Sequence, residues 1–416
     1  MSVMNEKKRV ALAATLDTKS QEVLHLARLL EARGIVPVFV DLGIKGAPPF
    51  SPDVTAGQVA EAGGSSLEKI RAGMDRSDAL DIMGRGAAKA VSKLCDEGKI
   101  QGAIGVGGGQ GGMLAAMIMR ALPIGFPKLI LSTTALIAGV ASQYEGVNDT
   151  LVMNSVVDVS GENPILSAMF LKAAGAIAGM LAEENPMVQL GDTPRVGISM
   201  WGVTTPCVNR AREILEREGC QAYVFHATGL GGRIMEDLVA QGYLNAVLDL
   251  TLPEVSVNVA GGEYPPIPYR LTRAGEKGIP QVVSVGGVDM VRFPPPFDLP
   301  EKFRGRPYYM HNKDVMFVRS FPEENIEIAR EIARKLNRAK GPVRVLLPLK
   351  GVSAVDREGE VLWNPEADEA LFSTLKKELK PEIQVIQVDA HINDEIFAEK
   401  AAKELLSLLG KEEPLC

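Results

Sequence analysis

Residues 9–43 read RVALAATLDTKSQEVLHLARLLEARGIVPVFVDLG. An apolar run opens this stretch, a polar turn (TLDTK) follows, and then comes a segment in which Leu26, Leu29 and Leu30 share one helical face. Gly34 closes that helix and a second apolar run begins at once. A helix between two strands returns the chain to the end of the sheet where it started, so the strands run parallel. The chain then starts again: residues 195–229 read RVGISMWGVTTPCVNRAREILEREGCQAYVFHATG, with Ile214 and Leu215 on the helix face and Gly219 at its end. Two βαβ openings predict two doubly wound, Rossmann-like α/β domains with mostly parallel sheets.

Between the two openings lies EENPMVQLGDTP at 183–194, rich in acids, proline and glycine. It predicts an N-terminal domain over 1–185, a linker over 186–194 and a C-terminal domain over 195–416. A helix over 164–184 precedes it, capped by Asn163 with Pro164 at its first position. Gly175 and Gly179 lie four apart on that helix, which suits close packing against the home sheet or a subunit interface. Further strands are expected near 101–106, 128–132, 246–250, 281–285 and 343–347, with helices near 113–122, 233–241, 324–337, 368–378 and 394–409. Segments 43–66, 253–269 and 286–312 lack periodicity and read as long loops at the sheet edges where ligands bind.

Composition narrows the function. There are 52 acids against 45 bases, a net charge of -7, which argues against a nucleic-acid surface. Glycine is in excess, 42 of 416 residues, or roughly 10% against a usual value of about 7%. Four cysteines without a C-x-x-C pair read as reduced thiols, and the first ten residues lack an apolar leader. A cytoplasmic protein with no membrane span is expected.

The glycine excess collects at turns. Residues 105–113 read GVGGGQGGM, between an apolar strand and an apolar helix. Gly107, Gly109 and Gly112 give G-x-G-x-x-G, and with Gly108, Gln110 and Gly111 they form either a phosphate cradle at a helix N-terminus or a tight structural turn. A Walker lysine is absent, and the next strand ends in Thr133 and Thr134 instead of the acid that holds a dinucleotide ribose. Asp17, Thr18 and Lys19 stand where the first strand meets its helix, as cap residues or as ligand contacts, Thr15 and Lys19 to an anion and Asp17 to a metal or a ribose hydroxyl. MGRGA at 83–87 reads as a third loop, with Gly84 and Gly86 flanking the forked donor of Arg85. In the second domain, Thr228, Gly229, Gly231 and Gly232, with Thr204 and Thr205, offer a second anion site or a fold element without a ligand.

Catalytic signals are sparse. Four histidines occur, at 25, 226, 311 and 391, without a zinc-binding spacing, so no metal site is expected. His226 ends a strand beside a glycine loop, as a general base acting with Asp249, Glu236, Asp289 or His311, or as a structural histidine. Cys207, near a helix start, reads either as an activated thiol or as a buried inert one.

Several stretches in this order resemble a known family: TLDTK, MGRGA, GVGGGQGG, MNSVVDVSG at 153–161, GVTTPCV at 202–208, FHATGLGG and HIND at 391–394. The family is typified by the inhibitory N-terminal region of a tomato mosaic virus resistance protein, with bacterial relatives of unassigned reaction. The resemblance implies two α/β domains and ATP bound to the first, on Asp17, Thr18, Lys19, Gly84 to Ala87 and Gly107 to Gly111, with Thr55 in reach. Magnesium would arrive with the triphosphate. A small hydroxyl residue would be expected where Gln110 stands. A homodimer is expected. Two other activities stay open: chemistry on a small phosphorylated metabolite through His226, and nucleotide-dependent partner binding.

Overall fold

The structure is a computed structural model that describes residues 7–135, 144, 146, 148–183, 191–264, 266–295 and 297–411. Part of the expected linker, 186–190, lies outside the described residues. The chain divides into two compact units, Met1–Val188 and Gln189–Cys416.

Unit 1 runs β1 (Arg9–Ala14), α1 (Leu16–Glu31), β2 (Val36–Asp41), α2 (Ala56–Ala62), α3 (Leu67–Arg71), α4 (Arg76–Asp96), β3 (Gly102–Gly107), α5 (Gly109–Ala121), β4 (Lys128–Ser132), β5 (Leu151–Asn154) and α6 (Pro164–Ala182). Its five strands lie in the order β2-β1-β3-β4-β5, all pairs parallel. Alternation along β1 sends Ala11 and Ala13 to one face, under α2, α4 and α5, and Val10, Leu12 and Ala14 to the other, under α1 and α6. Apolar side chains on both faces are what a fully covered parallel sheet requires. α6 is long and apolar enough to cross a membrane by composition. Even so, Leu166, Phe170, Ala173, Ala174 and Ile177 on it are buried in the core of this unit.

Unit 2 runs β6 (Arg195–Met200), α7 (Thr205–Arg217), β7 (Gln221–His226), α8 (Leu230–Ala240), β8 (Ala246–Thr251), α9 (Pro253–Ala260), α10 (Arg273–Lys277), β9 (Gln281–Gly286), β10 (Met290–Phe293), β11 (Tyr308–Asn312), β12 (Val315–Arg319), α11 (Pro322–Leu336), β13 (Val343–Pro348), α12 (Pro365–Glu378), β14 (Gln384–Val388) and α13 (Glu395–Leu408). The main sheet is β14-β13-β9-β8-β6-β7, again parallel, and β10, β12 and β11 form a small antiparallel sheet. Counting only the strands of the main sheet, the first lies between the second and the third in both units. The two openings in the sequence therefore begin units of one topology.

The three expected loops contain regular structure. Residues 43–66 hold α2, 253–269 begin with α9, and 286–312 supply β10 and β11. These elements are short, and proline and glycine beside them mask their period.

Candidate functional site

In unit 1 the connection from β1 leads to β2 on one side and that from β3 leads to β4 on the other. The carboxyl ends of β1 and β3 are therefore the point of strand-order reversal, where ligands bind in open α/β sheets. The glycine stretch expected as a loop lies there, but Gly107 ends β3 and Gly109 to Gly112 form the first turn of α5. Gly108 caps α5, and among the described residues the amides of Gly109, Gln110 and Gly111 have no hydrogen-bond partner. The first bonded amide is Gly112, donating to the Gly108 carbonyl at 2.7 Å. Three free amides at a helix N-terminus carry the positive end of the helix dipole.

The glycines differ in why they are there. A Cβ on Gly107 would sit 2.7 Å from the Gly111 Cα, and one on Gly112 would sit 2.5 Å from the Tyr144 hydroxyl. The fold itself demands these two. A Cβ on Gly108 or Gly109 would meet nothing nearer than 3.4 Å (Thr133 Oγ1) or 3.7 Å (Thr134 Cγ2). Packing within the chain leaves room for a side chain at 109 and only slight crowding at 108. Thr134 is tied to Ser132 and Tyr144 by its hydroxyl, at 3.1 and 3.3 Å.

At the end of β1, Asp17 faces the loop after β2. Its Oδ2 accepts from the amides of Lys45 (2.8 Å) and Gly46 (3.3 Å), and a Cβ on Gly43 would land 2.5 Å from its carboxyl carbon. Arg71 grips the same loop from the other side, donating to the carbonyls of Ile44 and Gly46 at 2.8 and 3.0 Å. The loop is thus held from both ends and carries Lys45, which is exposed and whose ammonium makes no hydrogen bond or ion pair among the described residues. Sequence reading missed Lys45 and Arg71, because only the fold brings 43–46 and 71 together beside Asp17. Lys19 donates to the Val159 carbonyl at 2.5 Å, and the Thr18 hydroxyl lies 3.1 Å from that of Thr15. Thr55 caps α2 in a reciprocal arrangement with Gln58.

MGRGA is not a loop. Gly84 to Ala87 lie in the middle of α4, and the two glycines admit neighbouring helices. A Cβ on Gly84 would strike the Met117 sulfur at 2.2 Å, and one on Gly86 the Val59 carbonyl oxygen at 1.8 Å. Met117 lies about 12 Å down α5 from its N-terminus, so this segment is a packing seam away from that N-terminus. Arg85 pairs with Asp81 one turn earlier.

The expected second anion site is filled by the protein. Glu254, fully buried, accepts from the amides of Gly229 (2.8 Å) and Gly232 (3.0 Å) at the start of α8. Its other oxygen receives the Arg270 Nε at 2.6 Å. Thr228 sits in the turn just before, and a Cβ on Gly231 would fall 2.0 Å from the His226 carbonyl oxygen. Thr204 is buried and bonded to Thr251 at 2.8 Å, and the Thr205 hydroxyl turns back to the Trp201 carbonyl.

His226 and Asp249 do not converge. Ala222 and Val224 share the face of β7 that packs toward α7 and α13, and His226 follows them in register at the strand end, exposed to solvent. On β8 that face belongs to Ala246, Leu248 and Leu250, so Asp249 stands on the opposite one. Both Asp249 oxygens bind Arg270, which also reaches Glu236 at 3.3 Å. Burial pushes the Glu236 carboxyl up to about 7. An aspartate inside the apolar run AVLDLT was the signal for such a buried partner. Asp289 belongs to another sealed cluster, with Ser353 at 2.8 Å and Arg319 behind it, and burial raises it to about 7 as well. Burial also pushes the Cys207 thiol up to about 12, which makes it inert.

The chain matches the Uncharacterised protein family (UPF0261) N-terminal domain over residues 8–186 and its C-terminal domain over 193–409. A UPF0261 protein of Clostridium tetani is 42% identical, covering 97% of this chain and 100% of its own length. Another, from Rhizobium meliloti, is 39% identical over 95% of this chain and 97% of its own. The ToMV resistance protein Tm-1 of Solanum lycopersicum is 40% identical over 81% of this chain, which spans 45% of the tomato protein. Among solved structures, a UDP-N-acetylglucosamine 2-epimerase aligns over 98% of this chain and 99% of its own at 11% identity, with a TM-score of 0.23. MurG of Acinetobacter baumannii aligns over 63% and 80% at 14%, with a TM-score of 0.21. Scores this low carry no inference about ligand.

Proposed function

We propose, from the premise that this chain belongs to the Uncharacterised protein family (UPF0261), that it is a cytoplasmic ATP-binding protein whose nucleotide lies at the strand-order reversal of unit 1. One observation carries the reading: three unbonded helix amides at the β1/β3 reversal, behind glycines at 108 and 109 that the fold does not require. Oxygens of a phosphate chain accept from such amides, and only a backbone without side chains lets them approach. Thr133 and Thr134 flank the cradle. Lys19 and Lys45 supply cations in a chain whose net charge otherwise repels the ligand. Magnesium enters on the triphosphate, which provides most of its oxygen ligands. Asp17 and Arg71 serve as positioning residues for the Lys45 loop.

The test is titration calorimetry with MgATP, repeated on Lys45→Ala and on Asp17→Ala/Lys45→Ala. Wild type binds one nucleotide per chain, and Lys45→Ala weakens it by about tenfold, the effect of one surface charge pair. The double variant is no weaker than Lys45→Ala, because the clamp acts through the lysine. No heat of binding in the wild type refutes the reading.

A further inference from the structure

The turn after β5 is strained at an exposed residue, Val156, between buried Ser155 and Val157, which packs against the core. The Val157 amide donates to the Ser155 carbonyl at 2.8 Å, closing a three-residue turn centred on Val156. Val156 has φ of 67°, a region where a β-branched residue is an outlier. Its neighbours hold it there. Asn154 Oδ1 accepts from the Val156 amide at 2.7 Å, Asn154 Nδ2 donates to the Ala135 carbonyl at 2.7 Å, and the Ser155 hydroxyl donates to the Val157 carbonyl at 2.6 Å. The Ser155 amide ties the turn to the Ser132 carbonyl at the end of β4. The valine so constrained is 65% exposed, so the strain secures no burial of its own side chain. Glycine or asparagine would hold the same backbone at lower cost. Strain that its surroundings over-determine collects at ligand sites.

Position suggests the ligand. The turn lies at the carboxyl edge of the sheet, beside β4, which Thr133 and Thr134 follow. It is two strand spacings, about 10 Å, from the glycine stretch at the end of β3. A nucleoside spans that gap when its phosphates sit on that stretch. We propose that Val156 is an apolar contact for the base of the bound nucleotide, presented by a turn whose strain serves recognition. This rests on the ATP reading above.

Val156→Asn and Val156→Gly both relieve the backbone. Their melting temperatures are read alongside calorimetric titrations with MgATP and with magnesium tripolyphosphate, which has no base. The expected result is an unchanged or higher melting temperature, MgATP weakened by about fivefold for the loss of one partly buried valine, and tripolyphosphate unaffected. Unaltered MgATP affinity overturns the inference. So does an equal loss for tripolyphosphate, or a lower melting temperature in both variants, which would make the turn a packing element. A wild type that binds no MgATP fails the parent reading instead, so the two failures are distinct.

Discussion

Gly109→Ala is expected to make the protein more stable and a poorer binder. A Cβ there would meet nothing nearer than 3.7 Å, and the residue lies in the first turn of α5. Replacing glycine by alanine at a compatible helical position stabilises by about 0.4–1 kcal/mol, chiefly by restricting the unfolded chain. For a unit of this size that raises the melting temperature by about 1–4 °C. The same methyl group occupies the approach to the free amides. A charge-assisted hydrogen bond contributes about 1.5–3 kcal/mol, so losing one weakens MgATP by about ten- to hundredfold. Gly107→Ala is the control, because its Cβ would press on the Gly111 backbone at 2.7 Å and overpacking costs about 1–3 kcal/mol. Calorimetry and thermal melts on the two variants suffice. Wild-type affinity in Gly109→Ala, or a destabilisation matching that of Gly107→Ala, would refute the reasoning.

Gly86→Ala should destabilise by about 1–3 kcal/mol through its collision with the Val59 carbonyl, while Arg85→Ala keeps MgATP affinity within about twofold, as expected of an exposed ion pair; denaturant melts and titration separate the two. Stability should also depend on pH in an unusual sense. Glu236 and Asp289 titrate near 7 when folded, against ordinary values of 4.5 and 3.8. Between pH about 4 and 7 the folded chain keeps protons that the unfolded chain has released, so these groups make stability fall as pH rises through that window and level off above it, by an amount on the order of a few kcal/mol. Urea melts from pH 4.5 to 8 check this, and a monotonic rise would contradict it. A homodimer through α6 would give Gly175 and Gly179 a purpose, since a Cβ on either meets nothing within 4 Å and Ile165 and Leu171 beside them are exposed. Sedimentation of Gly175→Gln should then show monomer where wild type shows dimer.

The parallel sheets were legible because apolar runs of strand length alternate with amphipathic helices, a pattern that burial on both faces requires. The strand-to-helix junction at Gly108 was legible because its neighbours are regular, but the glycines around it belong to β3 and to the first turn of α5, so the expected loop is mostly regular structure. MGRGA misled because glycine serves close helix packing as well as turns, and only the position of Val59 and Met117 tells which. Lys45 could not be read at all. Its role depends on Asp17 and Arg71, distant in sequence, meeting at one loop. The pairing of His226 with Asp249 failed on strand parity once β6, β7 and β8 lay side by side, since their side chains leave opposite faces.

The Glu254 carboxylate at the start of α8 has a thermodynamic consequence. In unit 2 a side chain of the protein itself meets the amides at the start of α8, while the first amides of α5 in unit 1 have no partner among the described residues. If nucleotide binds at α5 as proposed, linkage adds its binding free energy to the stability of unit 1. Under scanning calorimetry, nucleotide would separate the two units, moving one melting transition and leaving the other still. The proposed ligand would then set how far apart the stabilities of the two units lie.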